Sequence, residues 1–343
     1  MTAITSRAVP VLPGVLSAAE VRATGAGIAA MQHPSGAIPW FTGGHIDPWD
    51  HVEAAMGLAV AGFVDEAERA YRWSAATQRP DGSWPIKINA DETVADDGTD
   101  ANFISYLAVG VWHQWLVTGD DRFLAELWPI VRAAVDKVCG MRTTDGMIAW
   151  AEDARGNRFD EALVSGSASV HHSLTAALAL AEAVGERRPD WVELRARIAD
   201  DLGRHPERFA DRRRWSMDWY YPVLGGAITG EAARARLSGR WEEFVVPGLG
   251  IRCVADRPWV TGAETCELAI CLAGLGDRDG AERLLADMQH LREADGNYWT
   301  GLVFSDGLRW PEELSSWTAA AMLLAADAIT VATAGHRVHR PAR

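Results

Sequence analysis

Cysteine is scarce in this chain of 343 residues, with only Cys139, Cys253, Cys266 and Cys271. They are too few and too scattered for a disulfide framework. Cys266 and Cys271 share one apolar, helix-like run, so they read as small buried residues in a reducing compartment. Long apolar runs are missing too: no stretch reaches the roughly 18 residues of a membrane span, and Met1–Gly14 lacks the apolar core of a secretion signal. These absences predict a cytoplasmic protein with no integral membrane association. An excess of positive charge is also lacking, since 33 Lys and Arg stand against 47 Asp and Glu, a net charge of −14. Phosphates need a basic face, so nucleic acid is excluded as the main partner. No cofactor is expected. The glycines of Leu224-Gly225-Gly226 and Pro247-Gly248-Leu249-Gly250 lack the strand–turn–helix context of a nucleotide loop, and there is no Gly-x-Ser-x-Gly elbow. His45, Asp47 and His51 match no strong ligand spacing, so no metal is expected either.

What is present is a repeat. A helix end, a glycine turn and a tryptophan recur as Gln32 to Gly36 and Trp40, then Gln78-Arg79-Pro80-Asp81-Gly82-Ser83-Trp84. The pattern returns at Arg142 to Gly146 and Trp150, and at Asp295-Gly296-Asn297-Tyr298-Trp299. Recurrence on this scale marks a repeat architecture.

Between these turns lie pairs of helical patterns. The first of each pair is apolar nearly all round, as in Asn102 to Val117, and the second is amphipathic, as in Arg122 to Val138. An all-apolar helix is buried on every side, whereas an amphipathic one covers it from outside. Inner helices are predicted at 48–61, 100–117, 166–184, 217–228, 262–275 and 313–332. Outer helices are predicted at 17–32, 64–78, 121–139, 190–204, 229–243 and 277–291, with Pro129 breaking the third. Strand signals are weak apart from a short ribbon near Met147–Ala151. The expectation is an all-α chain, a single (α/α)6 toroid with little or no sheet. Residues 1–16 form an N-terminal extension, 17–333 the toroid and 334–343 a flexible tail. The first outer helix closes the ring against the last inner one.

In such a ring every long loop runs from an outer helix to the next inner helix. All of them gather on one face, together with the inner-helix N-termini and their free N–H groups. This funnel mouth is the default site. Trp40, Trp49, Trp219, Trp259 and Trp317 fall there, each offering a wide face for a sugar ring or an apolar chain. Carboxylates fall there as well. Asp47 precedes Pro48 and doubles as a helix cap, while Asp50 and Glu53 lie three apart on one helical face. Asp100 precedes the second inner helix, Asp218 sits amid Trp219, Tyr220 and Tyr221, and Glu264 opens an otherwise apolar helix. A carboxylate in apolar surroundings needs a partner or has a shifted pKa and a task. His45 lies in the same loop as Asp47, and His171 and His172 stand in the first turns of the third inner helix.

The run Gly110-Val111-Trp112, Val117-Thr118-Gly119-Asp120-Asp121 and Trp128-Pro129 resembles the six-hairpin glycosidases, glucoamylases included. The likeness continues through Asp145-Gly146-Met147-Ile148 and Ser315-Ser316-Trp317-Thr318. That resemblance implies paired carboxylates at the funnel mouth as general acid and base. Gln78-Arg79-Pro80-Asp81-Gly82-Ser83-Trp84 is instead similar to the repeat of squalene-hopene cyclases and prenyltransferase toroids, although their Asp-x-Asp-Asp motif is absent. The leading expectation is a glycoside hydrolase acting on an oligosaccharide or glycoside, with Glu264 as acid and Asp50 or Asp218 as base. One alternative is a cyclase-like enzyme in which Asp97 or Asp100 protonates a polyprenyl chain. Another is a sugar isomerase or epimerase using His171 or His172, and a last one is a sugar-binding toroid without catalysis.

Overall fold

The computed structural model describes residues 8–339 of the chain. The expected N-terminal extension 1–16 and tail 334–343 therefore lie partly outside the described residues. The inner layer holds α2 (Pro48–Ala61), α4 (Ala101–Ser105) running into α5 (Leu107–Thr118), α7 (Val164–Ala183), α9 (Ser216–Leu224), α12 (Gly262–Gly274) and α14 (Ser316–Thr330). Outside them lie α1 (Ala18–Met31), α3 (Val64–Thr77), α6 (Asp121–Gly140), α8 (Pro189–Arg204), α10 (Gly230–Ser238) and α13 (Arg278–Asp287), with a single turn α11 (Trp241–Phe244) after α10. Each inner helix packs on the next, and α14 returns to α2, so the chain is a mostly helical toroid. As expected, α1 packs against α14.

Burial follows the two hydropathy classes. Every residue of α2 and nearly every residue of α12 and α14 is buried, whereas α6 buries one stripe that includes Phe123, Leu127, Val131 and Val135. Pro129 does not divide α6 as the sequence suggested. The helix runs on through it, because buried residues on both sides of the proline clamp the helix to the core.

The repeated glycine turn is a staple between neighbours. Gln32 Nε2 donates to Gly36 O (3.0 Å) and to Glu66 O on α3 (2.9 Å). Gln78 Nε2 does the same for Gly82 O (3.1 Å) and Ile130 O on α6 (2.9 Å). Gly36 and Gly82 have φ of 105° and 89°, and each sits against the backbone of the next outer helix, at Arg69 and Ala133. Gly296 (φ 94°) does likewise against Ala23 and Thr24 of α1.

The expectation of little or no sheet needs correcting. Two strand pairs, β1 (Lys87–Ile88) with β2 (Val94–Asp96) and β3 (Thr99–Asp100) with β4 (Ala151–Glu152), edge the loops. A five-stranded antiparallel sheet runs in the order β5 (Val245–Val246), β6 (Gly250–Arg252), β7 (Trp259–Thr261), β8 (Gly301–Val303) and β9 (Leu308–Arg309). Its strands have two or three residues each, too few to show a period-2 pattern in sequence. Residues 334–339, expected as the start of a flexible tail, form a 3-10 turn with Gly335 and Val338 buried and packed on α5, α12 and α14. No helix among the described residues is long and apolar enough to cross a membrane.

Candidate active site

The mouth is built from the starts of the inner helices. Asp47 caps α2, its Oδ1 accepting from Trp49 N (3.0 Å) and Asp50 N (2.9 Å). That cap fixes the first turn and points Asp50 and Glu53 along one face. Both are buried, at 5% and 1% exposure. Burial, then the Asp47 carboxylate beside it, holds the Asp50 carboxyl well above the usual range, with Glu53 and Glu267 adding to the effect. Burial lifts Glu53 to about 7, against the pull of the Tyr106 hydroxyl, which donates to its Oε2 at 2.6 Å.

A matching pair stands on α12. Glu264 is 2% exposed, its Oε2 has no hydrogen-bond partner, and burial raises its pKa while Thr261 and Cys253 favour the ionised form. Glu267, one turn on, accepts from the hydroxyls of Tyr220 and Tyr221, the latter at 3.0 Å. Burial keeps it well above the ordinary carboxylate value, with Glu53 and Glu264 adding to the rise. Thus α2 and α12, which flank α14, each carry two carboxyls three residues apart. In each pair the deeper one is hydrogen-bonded by tyrosine from another inner element. Asp50 feels the charges of Glu53 and Glu267, and Glu267 those of Glu53 and Glu264. None of them has an ion pair among the described residues, so burial favours the protonated form of each.

Aromatic rings pack together at the starts of α2 and α14. Trp49 stacks on Tyr106 at 4.6 Å between centroids and meets Trp317 edge-on at 5.8 Å, and Trp317 meets Trp40 at 5.7 Å. The indole N–H groups of Trp49 and Trp317 are buried without partners. Trp40 Nε1 donates to Glu313 Oε1 (2.7 Å), and Thr300 Oγ1 reaches the same oxygen at 3.2 Å. His45 lies beside Trp40 at 5.5 Å, its pKa lowered chiefly by burial.

Other predicted residues are placed differently. Asp218 Oδ1 accepts from Ser165 N at 3.3 Å, and the charges it feels are those of Arg236 and Arg212 rather than of the α2 and α12 carboxyls. It lines a separate cleft of about 500 Å³ with Trp219, Arg236 and Arg240. Asp100 caps α4 through Asn102 N (2.8 Å) and Phe103 N (3.1 Å), burial lifts it to about 7, and it borders a small cavity with Trp150 and Ser165. Asp97 is paired with Arg79. Trp219 packs outward, stacked on Phe244 at 5.1 Å with its indole N–H on Arg236 O (2.9 Å). Trp259, on β7, meets Trp310 edge-on and donates to its carbonyl at 2.8 Å.

Both histidines are engaged by main chain. His171 Nδ1 pairs with Gly225 O at 2.8 Å and His172 Nε2 with Val338 O at 2.9 Å, while the His172 ring lies 6.4 Å from that of Tyr106. Burial pushes both down to about 4. Among the described residues no group of three or more His, Cys, Asp and Glu is arranged to hold a metal ion.

Sequence reasoning missed Glu267, Tyr106, Tyr221 and Glu313. Glu267 carried a readable signal, since Glu264 and Glu267 repeat the spacing of Asp50 and Glu53 in an equally apolar helix. The tyrosines carried none, because nothing local to Tyr106 points to Glu53 across 53 positions.

No protein-family model matches the chain. The MMP endo-(1,4)-3-O-methyl-alpha-D-mannosidase of Mycolicibacterium hassiacum is 55% identical to it over 97% of this chain and 92% of that protein. A glycosidase solved in complex with glucose superposes with a TM-score of 0.73 at 18% identity, covering 91% of this chain and 96% of that one. A D-mannose isomerase superposes with a TM-score of 0.70 at 10% identity, over 91% and 96% of the two chains. At those identities the two structures share the fold alone. The full-length match to the mannosidase goes further: this chain belongs to that enzyme's family and is a glycoside hydrolase.

Proposed function

We propose that this chain, a six-hairpin (α/α)6 enzyme, cuts internal bonds of a (1,4)-linked α-mannan carrying 3-O-methyl groups, with Asp50 and Glu264 as the reacting carboxyls. The observation that carries the reading is the uncompensated carboxyl cluster of α2 and α12 beneath the Trp40–Trp317–Trp49 array. The substrate class is suggested by the name of the 55%-identical relative. Roles follow from the local fields. Three neighbouring carboxyls favour a proton on Asp50, which suits it to protonate the leaving oxygen. No neighbouring carboxylate adds to the burial that raises Glu264, so of the two it gives up its proton more readily and activates water. This reverses the order expected from the apolarity of α12 alone. A cytoplasmic location accords with the four free cysteines.

Asp50→Asn and Glu264→Gln should each lower kcat on a 3-O-methylmannose oligosaccharide by about a thousandfold or more, with the oligosaccharide still bound. Chromatography of the wild-type products should show shorter oligosaccharides before any monosaccharide. Full activity in either variant would remove that residue from the chemistry, and monosaccharide as first product would sink the endo reading.

A further inference from the structure

At the end of the ring opposite the mouth, the C-terminal halves of α5 and α7 stand apart from the start of α8. They leave a cleft of about 870 Å³, bordered also by the turn after α14. The floor is apolar: Trp112, Leu116 and Leu178 are half-buried there, and Val192 beside them is 47% exposed. Arg187, Arg188, Arg195 and Arg337 border it, a concentration of positive charge on a chain whose net charge is −14.

Some of these charges are spent within the protein. Arg188 pairs with Asp136 and Asp190 and lies over Trp191, while Glu186 is held by Trp128 and Arg132. Arg187, Arg195 and Arg337 have no ion pair or hydrogen bond among the described residues, and Glu182 is the one lining carboxylate left to oppose them. Arg195 is half-buried, so its guanidinium has lost part of its hydration without gaining a carboxylate. An apolar floor beside an unpaired guanidinium fork complements a molecule with a hydrocarbon body and an anionic head. A sugar fits poorly, because Thr175 is the only neutral side chain in the lining with a hydroxyl or amide. The volume lies within the range of small-molecule clefts, about 300–1,000 Å³.

We propose that this cleft binds a free single-chain fatty acid, its chain on Trp112, Leu116, Leu178 and Val192 and its carboxylate against Arg195 and Arg337. The site lies away from the carboxyl cluster and does not depend on the reading of the reaction. Calorimetric titration of the full chain with monomeric decanoate should give saturable binding of one molecule per chain. Decanol, with no charge, and acetate, with no chain, should each bind at least about tenfold more weakly, as should decanoate to an Arg195→Gln/Arg337→Gln double variant. Hydrolysis by that variant should be unchanged. Leu178→Asp, checked for folding by circular dichroism, should abolish binding. The proposal falls if decanoate does not saturate, if decanol binds as tightly, or if the double variant binds decanoate like the wild type. It also falls if anionic vesicles bind while monomeric decanoate does not, since the cleft would then be a membrane contact.

Discussion

At the residue scale, the same sequence letter does two jobs. Gly82 and Gly146 both have positive φ, 89° and 85°, but a Cβ on Gly82 would lie 2.4 Å from Ala133 O, whereas Gly146 has open space around it. Gly146→Ala should therefore cost about 1 kcal/mol of left-handed strain. Gly82→Ala should cost about 3 kcal/mol or more, because α6 must also move. Urea denaturation of the two variants tests the difference. The turns were legible in sequence, but their role as ties between outer helices was not, since Gln78 finds Ile130 across 52 positions. Asp47 offers a second test. Asn at this position keeps an oxygen for the cap but removes the negative charge that helps keep Asp50 protonated. With its folded pKa lowered, Asp50 loses its proton sooner as pH rises. The alkaline limb of kcat/KM in Asp47→Asn should move down by about one pH unit. An unmoved limb would mean that Asp50 is not the proton donor.

At the element scale, helices with a uniform face were easy to read and short irregular pieces were not. The boundaries of α2 follow directly from Asp47-Pro48 and Gly62, and α12 and α14 from their unbroken apolarity. The pairing of α2 with α12 across α14 was not legible, because it depends on ring closure rather than on local pattern. The 3-10 turn 334–339 shows no helical period in sequence, yet it covers His172, and His339 lies 5.2 Å from the His172 ring. Burial pushes His113 to about 3 and His172 to about 4, and His339 well below its usual value, with His172 and His113 adding to the effect. Asp327 holds the approach to this turn through Thr333, and His336 sits near Asp327. For groups with lowered folded pKa, the linked stability is present above the unfolded value of 6.5 and is lost as pH falls toward 4. The raised carboxyls of the mouth gain stability over the same range, so the histidines' share is read by comparing the acid response of the full chain with that of a shortened one. A chain ending at Thr333 should be less stable by about 2 kcal/mol or more at pH 7, from the loss of buried Val338 alone, and its denaturation midpoint should fall less between pH 7 and pH 5 than that of the full chain. An equal response in the shortened chain would place the acid sensitivity elsewhere.

At the scale of the whole molecule, the ring concentrates carboxyls where inner-helix N-termini converge, and that geometry made the mouth predictable before any side chain was placed. Asp50 and Glu264, the carboxyls proposed to react, were legible because a charge in an apolar helix stands out. Asp218 stood out for the same reason but fell into a neighbouring cleft, because periodicity gives a residue's height on its helix and not its bearing around the ring. The staples at Gly36, Gly82 and Gly296 run from one outer helix to the next, and the last returns to α1. A straight stack of repeats has two ends from which it can peel. A hoop has no such edge: a hairpin lifted outward is restrained on both flanks, and loosening one arc releases the others. Loss of helix by circular dichroism and loss of tryptophan packing by fluorescence should therefore coincide on heating, so that the toroid opens in one event and not hairpin by hairpin.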